Sequence, residues 1–186
     1  MSPPAEAEPS PRARARPRAV GVLATVAGVA LLVDVVTKQL TVALLAGAEP
    51  VRLLGGAVYL VHATNSGAAF SLGRSYTQVF AVVALVVIAW IGWMAVRLRS
   101  VPWGVSLGLV LGGALGNLVD RLVRPPGPFR GEVVDMISVF DPYGRVFPVF
   151  NVADSALFLG VVLAVWLELT GRRRDGTREA PRPRRG

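Results

Sequence analysis

Four aspartates of this chain, Asp34, Asp120, Asp135 and Asp154, stand in or beside apolar runs rather than in polar stretches. A charged side chain at the centre of a bilayer costs at least about 2.5–3.5 kcal/mol by insertion scales and less at the interface, so each of these residues is a candidate for function. Two carboxylates held close together do not both ionise. They share one proton, and such a pair can activate a water molecule while protonating a leaving amine. That chemistry needs neither a metal nor a thiol. The chain has no cysteine, and His62 is its single histidine, which excludes thiolate sites, cysteine nucleophiles and multi-histidine metal centres. No metal or cofactor is expected.

Asp154 opens an apolar run and is the first expected member of the pair; the second is Asp135 or Asp120. Asp120 is followed by Arg121, with Arg124 one turn on, and either would keep it charged. Asp135 lies in Val133-Val134-Asp135-Met136-Ile137, whose apolar flanks would desolvate it and raise its pKa. A proton-sharing partner needs the second environment, so Asp135 is the expected partner and Asp120 a structural carboxylate tied to an arginine. Asn117 and Asp120 are three apart, as are Asn151 and Asp154, so each pair shares a helix face and each asparagine can donate to its aspartate. Asp34 and Lys38, four apart, suit a local ion pair or the orientation of a site residue. His62 has no partner in sequence and reads as a polar interface residue.

The elements that must position these groups are four apolar runs: Ala19 to about Leu45, Val79–Val96, about Trp103–Val119 and about Val152–Leu169. Each is near the roughly 20 residues that cross a hydrocarbon layer. At 53% hydrophobic and 17% charged, the 186 residues are too apolar for an ordinary soluble domain. No alternating ten-residue pattern of a membrane barrel is present, so the expected fold is an all-α, four-helix transmembrane bundle. Gly104, Gly108, Gly112 and Gly116 repeat every four residues in the third run and give it a smooth face for close helix packing, with Gly113 off that stripe. Between the first two runs, Val51–Leu54, a Gly55-Gly56 turn and Val58–Ala63 read as a hairpin, and Asn65-Ser66-Gly67 as a turn. Ala46-Gly47-Ala48 would suit a signal-peptide cleavage site, but Asp34 and Lys38 interrupt the run before it.

The net charge of +8 is unevenly placed. Residues 1–18 and 171–186, rich in Pro, Arg and Glu, are expected to be disordered tails flanking a membrane domain at 19–170. Positive residues favour the cytoplasmic side, which puts both termini and the Arg97–Arg99 turn inside and residues 46–75 and 121–150 outside. The basic tails then need no nucleic acid partner. Trp90, Trp93, Trp103 and Trp166 lie towards the cytoplasmic ends as interfacial anchors. The four aspartates thereby gather at one level, the outer boundary. A transporter using acids as a cation path would want them at several depths, and ion flux in vesicles would reveal it. An assembly factor would use the glycines for docking and bind a stable partner without cleaving it.

Five strings occur in order over residues 22–170: Asp34-Val-Val-Thr-Lys38, Thr64-Asn65-Ser-Gly67-Ala-Ala-Phe70, Gly112-Gly-Ala-Leu-Gly116-Asn117-Leu-Val-Asp120-Arg121, Val133-Val134-Asp135 and Phe150-Asn151-Val-Ala153-Asp154-Ser155. Together they resemble the bacterial lipoprotein signal peptidases (signal peptidase II), four-helix membrane aspartyl proteases. The Tyr-Asp and Gly-x-Gly-Asp signatures of presenilin-type proteases are absent. The resemblance implies a catalytic dyad of Asp135 and Asp154, with Asp34, Lys38, Asn65, Gly67, Asn117, Asp120, Arg121 and Asn151 around it. It implies a monomer in the plasma membrane whose substrates are prolipoproteins carrying diacylglycerol on the lipobox cysteine, cleaved just before that residue. The outer segments would form a small extracytoplasmic β-cradle and a mobile flap, with lipid chains held between helices. Val35 stands where the family usually has Gln, Met136 where Phe is common, and the stretch from Asp120 to Asp135, with Pro125-Pro126-Gly127-Pro128, is longer than the family pattern.

Overall fold

The computed structural model describes residues 11–67 and 77–178, with side chains from residue 16 onward. Four helices, α1 Pro11–Leu45, α2 Thr77–Ala95, α3 Val101–Val123 and α4 Val152–Leu169, are each long and apolar enough to cross a membrane. Three strands, β1 Val51–Leu53, β2 Val58–Asn65 and β3 Val133–Val139, form an antiparallel sheet in the order β1-β2-β3.

The third helix is the axle. Of its most apolar stretch 56% is buried, against 17–28% in the other three, so α3 is wrapped by its neighbours while they present Val, Leu and Phe outward. The glycine stripe explains the packing. A Cβ added at Gly104 would come within 2.6 Å of the Ala19 carbonyl oxygen, at Gly108 within 2.8 Å of Leu23 O, and at Gly112 within 2.7 Å of Ala27 O. Each step of four on α3 meets a step of four on α1, so the two helices run parallel with backbones in direct contact. Lipid gives no hydrophobic drive for such association, and close van der Waals packing supplies it. Gly113, off the stripe, serves a different neighbour: its bare Cα abuts Ala153 and Leu157 of α4, and Gly160 answers by packing on Ser106, whose hydroxyl donates to Gly160 O at 2.8 Å.

The expected hairpin forms, with a 3-10 turn at Leu54–Gly56 and pairs Val51–Leu60 and Leu53–Val58. The strand β3 departs from the expected outer loop. Val133-Val134-Asp135-Met136-Ile137-Ser138-Val139 pairs with β2, setting Asn65 opposite Val133 and Ala63 opposite Asp135. On its other edge, Ile137 exchanges hydrogen bonds of 2.8 and 2.9 Å with Phe150, the residue just before Asn151. The long stretch before it folds back on α3: Gly131 N–H donates to Arg121 O at 3.1 Å, and Glu132 N–H to Pro125 O at 3.2 Å.

The tail boundaries also differ from the sequence expectation. Helix α1 already runs from Pro11, with Pro17 inside it. Residues 171–178 form a hairpin rather than a loose tail. Arg173 N–H donates to Thr177 O at 2.9 Å, while Arg99 and Ser100 N–H both donate to Arg174 O at 2.9 and 3.0 Å. Trp103 is accordingly buried, not an interfacial anchor: its indole N–H donates to Arg172 O at 2.7 Å and the Arg174 guanidinium lies 5.0 Å from its ring. Trp90, Trp93 and Trp166 remain exposed on the helix surfaces.

Candidate active site

The sheet and the N-terminus of α4 bring the two expected aspartates together, and one residue holds both. Asn151 is the N-cap of α4; its side-chain oxygen accepts from Asp154 N–H at 2.8 Å, and its own N–H donates to Asp154 Oδ2 at 3.2 Å, a reciprocal capping box. Its Nδ2 then donates to Asp135 Oδ1 at 2.7 Å. Asp154 Oδ1 accepts from Asn117 Nδ2 at 2.8 Å, and Asp135 Oδ2 accepts from Asn65 Nδ2 at 3.1 Å. All four carboxylate oxygens are thus engaged, two by Asn151 and one each by Asn65 and Asn117, each keeping lone-pair capacity for a proton or water.

Asp135 is buried, whereas Asp154 is partly exposed. Desolvation, and secondarily the neighbouring charge of Asp154, pushes the Asp135 carboxyl up to about 7, against the pull of the hydrogen bonds from Asn65 and Asn151. The apolar flanks read in sequence are the cause: Val133, Val134 and Met136 are all buried around it.

Gly67 assists from the end of β2. Its N–H donates to Asn65 Oδ1 at 2.8 Å, which fixes the amide so that Nδ2 points at Asp135. Its φ of +90° suits glycine, and a Cβ there would sit 2.6 Å from the Phe80 ring. The second half of that motif, Ala68 to Phe70, and the rest of the expected flap through residue 76 lie outside the described residues.

Asp34, Lys38 and Asp120 form the foundation. The Lys38 ammonium lies 2.7 Å from Asp34 Oδ2, 3.0 Å from Asp120 Oδ2 and 3.0 Å from Asn117 Oδ1, and all of these side chains except Asn117 are almost fully buried. The local ion pair expected from the four-residue spacing is therefore present, and it is wider than expected because the same lysine reaches a second acid and the asparagine that holds Asp154. Asp34 Oδ1 also accepts from Ala153 N–H at 2.8 Å, so α1 caps the first turn of α4. Gly116 leaves the room: a Cβ there would collide with the Asp34 carboxylate.

Of the two arginines offered to Asp120, the structure uses Arg124, whose Nε lies 2.5 Å from Oδ1; the other oxygen also accepts from Val134 N–H at 3.2 Å, tying α3 to β3. Asn117 does not serve Asp120. It turns to α4 instead, accepting from Lys38 and from Asn151 Nδ2 and donating to Asp154. Arg121 faces the same side: it donates to Asn117 O at 3.2 Å and stacks over Phe80 at 5.5 Å, leaving its buried Nε without a hydrogen-bond acceptor. A cleft of about 320 Å³ opens there, lined by Phe80, Val83, Val87, Leu157, Arg121 and Asp154 among others. Phe80 had no motif to mark it; an aromatic in an apolar helix is indistinguishable from lipid-facing bulk. The amide of Ala153 and the carbonyl and amide of Phe150 were likewise invisible, because backbone groups carry no residue-type signal.

The arrangement suits hydrolysis by two carboxyls that share a proton, beside an apolar cleft between α2, α3 and α4. A family model described as Signal peptidase (SPase) II matches residues 26–170. A lipoprotein signal peptidase of Mycolicibacterium smegmatis is 47% identical over 184 residues, covering 95% of this chain and 74% of that protein. One of Streptomyces coelicolor is 46% identical, covering 86% of this chain and 76% of its own length. A solved structure described as a bacterial membrane enzyme, determined in meso at 1.9 Å, superposes with a TM-score of 0.69 at 26% identity over 80% of this chain and 93% of that one.

Proposed function

The chain belongs to the signal peptidase II family, and we propose that Asp135 and Asp154 are the pair on which its reaction runs. It is a membrane-embedded aspartyl protease that cleaves lipoprotein signal peptides. In the proposed cycle, Asp135 enters protonated and polarises the scissile carbonyl, while Asp154 takes a proton from a water lying between them. The tetrahedral intermediate collapses as a carboxyl passes its proton to the departing cysteine nitrogen. The lipidated residue would lie with its acyl chains against Phe80, Val83 and Val87, and the unsatisfied Arg121 Nε would meet a substrate oxygen. Asn65, Asn117 and Asn151 position the pair. Gly67 fixes Asn65, and Asp34, Lys38 and Asp120 anchor Asn117 and α4.

By the positive-inside rule, the Arg97–Arg99 turn and the arginine hairpin mark the cytoplasmic end, which sets the aspartates at the outer face of the plasma membrane. The enzyme works as a monomer on precursors whose cysteine already carries diacylglycerol.

The observation that carries this reading is Asn151 donating to both carboxylates at once. Asp154→Asn, purified folded in detergent, should lose cleavage of a lipidated precursor by at least about a thousandfold, the scale of losing a general acid–base group. Turnover within a few-fold of the parent protein would refute the assignment.

A further inference from the structure

The opposite end of the bundle carries a second organised site. The hairpin at residues 171–178 turns through Gly171 and Gly176, both at positive φ, and is pinned by hydrogen bonds from Arg99, Ser100 and Trp103 to backbone carbonyls. Ordering an arginine-rich segment costs conformational entropy, and the hydrogen bonds from Arg99, Ser100 and Trp103 to its backbone carbonyls help to offset it. Two of those charges are further steered by rings: Arg172 lies 5.4 Å from the Trp166 ring and Arg174 5.0 Å from the Trp103 ring. The result is a pocket of about 420 Å³ with Arg97, Arg172, Arg173 and Arg174 in its walls, against Glu168 and Asp175. Asp175 is partly taken by its own turn, accepting from the Thr177 N–H and hydroxyl at 2.9 and 2.6 Å. Next to it, a second pocket shares Arg172 and Arg173 and adds Arg99 and Arg178.

We propose that this pocket binds the phosphate of one anionic phospholipid from the leaflet opposite the aspartates. Charge alone would accept any phosphate; the surroundings favour a lipid. Trp93 lines the pocket and is 65% exposed, and Trp166 and Leu169 beside it are exposed as well, all at the ends of membrane-grade helices. Exposed tryptophans mark the level at which acyl chains give way to headgroups. A phosphate entering between the arginines would leave its chains along the outward face of α2 and α4. Diffuse attraction of basic tails to an acidic leaflet would be unsaturable; a walled pocket predicts one site. This inference stands independently of the catalytic assignment, because the two sites lie at opposite ends of α4, about 20 Å apart at 1.5 Å rise per residue.

The test is titration of the full chain in detergent with dioleoyl phosphatidylglycerol or dioleoyl phosphatidylcholine, read by native mass spectrometry and by the thermal unfolding midpoint. Expected are one saturable phosphatidylglycerol, no matching phosphatidylcholine adduct, and a raised midpoint with the anionic lipid only. Each arginine near a phosphate is worth about fivefold in affinity, so Arg97→Gln with Arg172→Gln should weaken binding about thirtyfold, and Arg97→Gln alone about fivefold. The double lysine variant at the same positions should retain most of the binding. Arg145→Gln, in the loop at the aspartate end, should change nothing. Equal retention of both lipids by the parent protein overturns the proposal without any variant. So does unaltered phosphatidylglycerol binding in the glutamine variants, and displacement of the lipid by equimolar inorganic phosphate would reassign the pocket to a soluble anion.

Discussion

At one end of the bundle Asp34, Lys38 and Asp120 are sealed among three helices, each charge matched to a partner within about hydrogen-bond distance. At the other end Arg97, Arg172 and Arg174 line an open pocket. The contrast separates two uses of charge in a small membrane protein. Buried pairs gain little net stability, since desolvation offsets much of the attraction, but they penalise every arrangement in which a partner is misplaced. They therefore fix geometry. Open charges fix nothing by themselves and are suited to meeting a mobile counter-charge. The same glycine-lined seam between α1 and α3 runs from one end to the other, so the packing device is common and only the electrostatics differ.

Three experiments bear on that contrast. Replacing Lys38 by Met leaves the buried Asp34 carboxylate without a cation, Asp120 keeping Arg124, and should destabilise the protein by about 3–5 kcal/mol. Arg97→Met at the open end should stay within about 0.5 kcal/mol. Both are read from denaturant unfolding in one detergent, and similar losses at the two sites would erase the distinction. Gly116→Ala and Gly104→Ala should each cost about 1–3 kcal/mol, because the added methyl group meets the Asp34 carboxylate at the first and the Ala19 carbonyl at the second. Only Gly116→Ala should also slow cleavage, since its methyl group displaces Asp34 and with it the α4 cap; if Gly104→Ala slowed the reaction equally, seam and foundation would not be separable. The gentlest probe is pH. Asp135 is required protonated and holds its proton to about 7, so the rate should fall as pH rises through 7, approaching tenfold per unit above it. A flat profile from pH 6 to 9 would show that the β3 carboxyl is not the acid.

Much of this was legible in the residues. Four apolar runs of spanning length gave four helices, because hydrocarbon leaves the backbone no other way to satisfy its hydrogen bonds. Asp135 stood out by its flanks and Asp154 by its place at a helix start. What stayed hidden was non-local. β3 is seven residues long and its partner β2 lies about seventy positions earlier, so no local period announces the pairing. Asn117 shares a face with Asp120, yet the helix rule says nothing of the neighbouring helix that claims its amide. The terminal hairpin was hidden by composition: Arg, Gly and Asp read as disorder until the carbonyl of Arg174 finds the N–H groups of Arg99 and Ser100.

The dual task of Asn151 has a consequence for the life of the chain before it is finished. The amide that starts the last helix is the one that gathers both acids, so on the proposed dyad proteolytic competence and completion of the final span would be one event. Until α4 enters the bilayer and winds its first turn, Asp135 has no companion, and with that pair as the dyad a half-inserted precursor of this enzyme would have no means of cutting its neighbours.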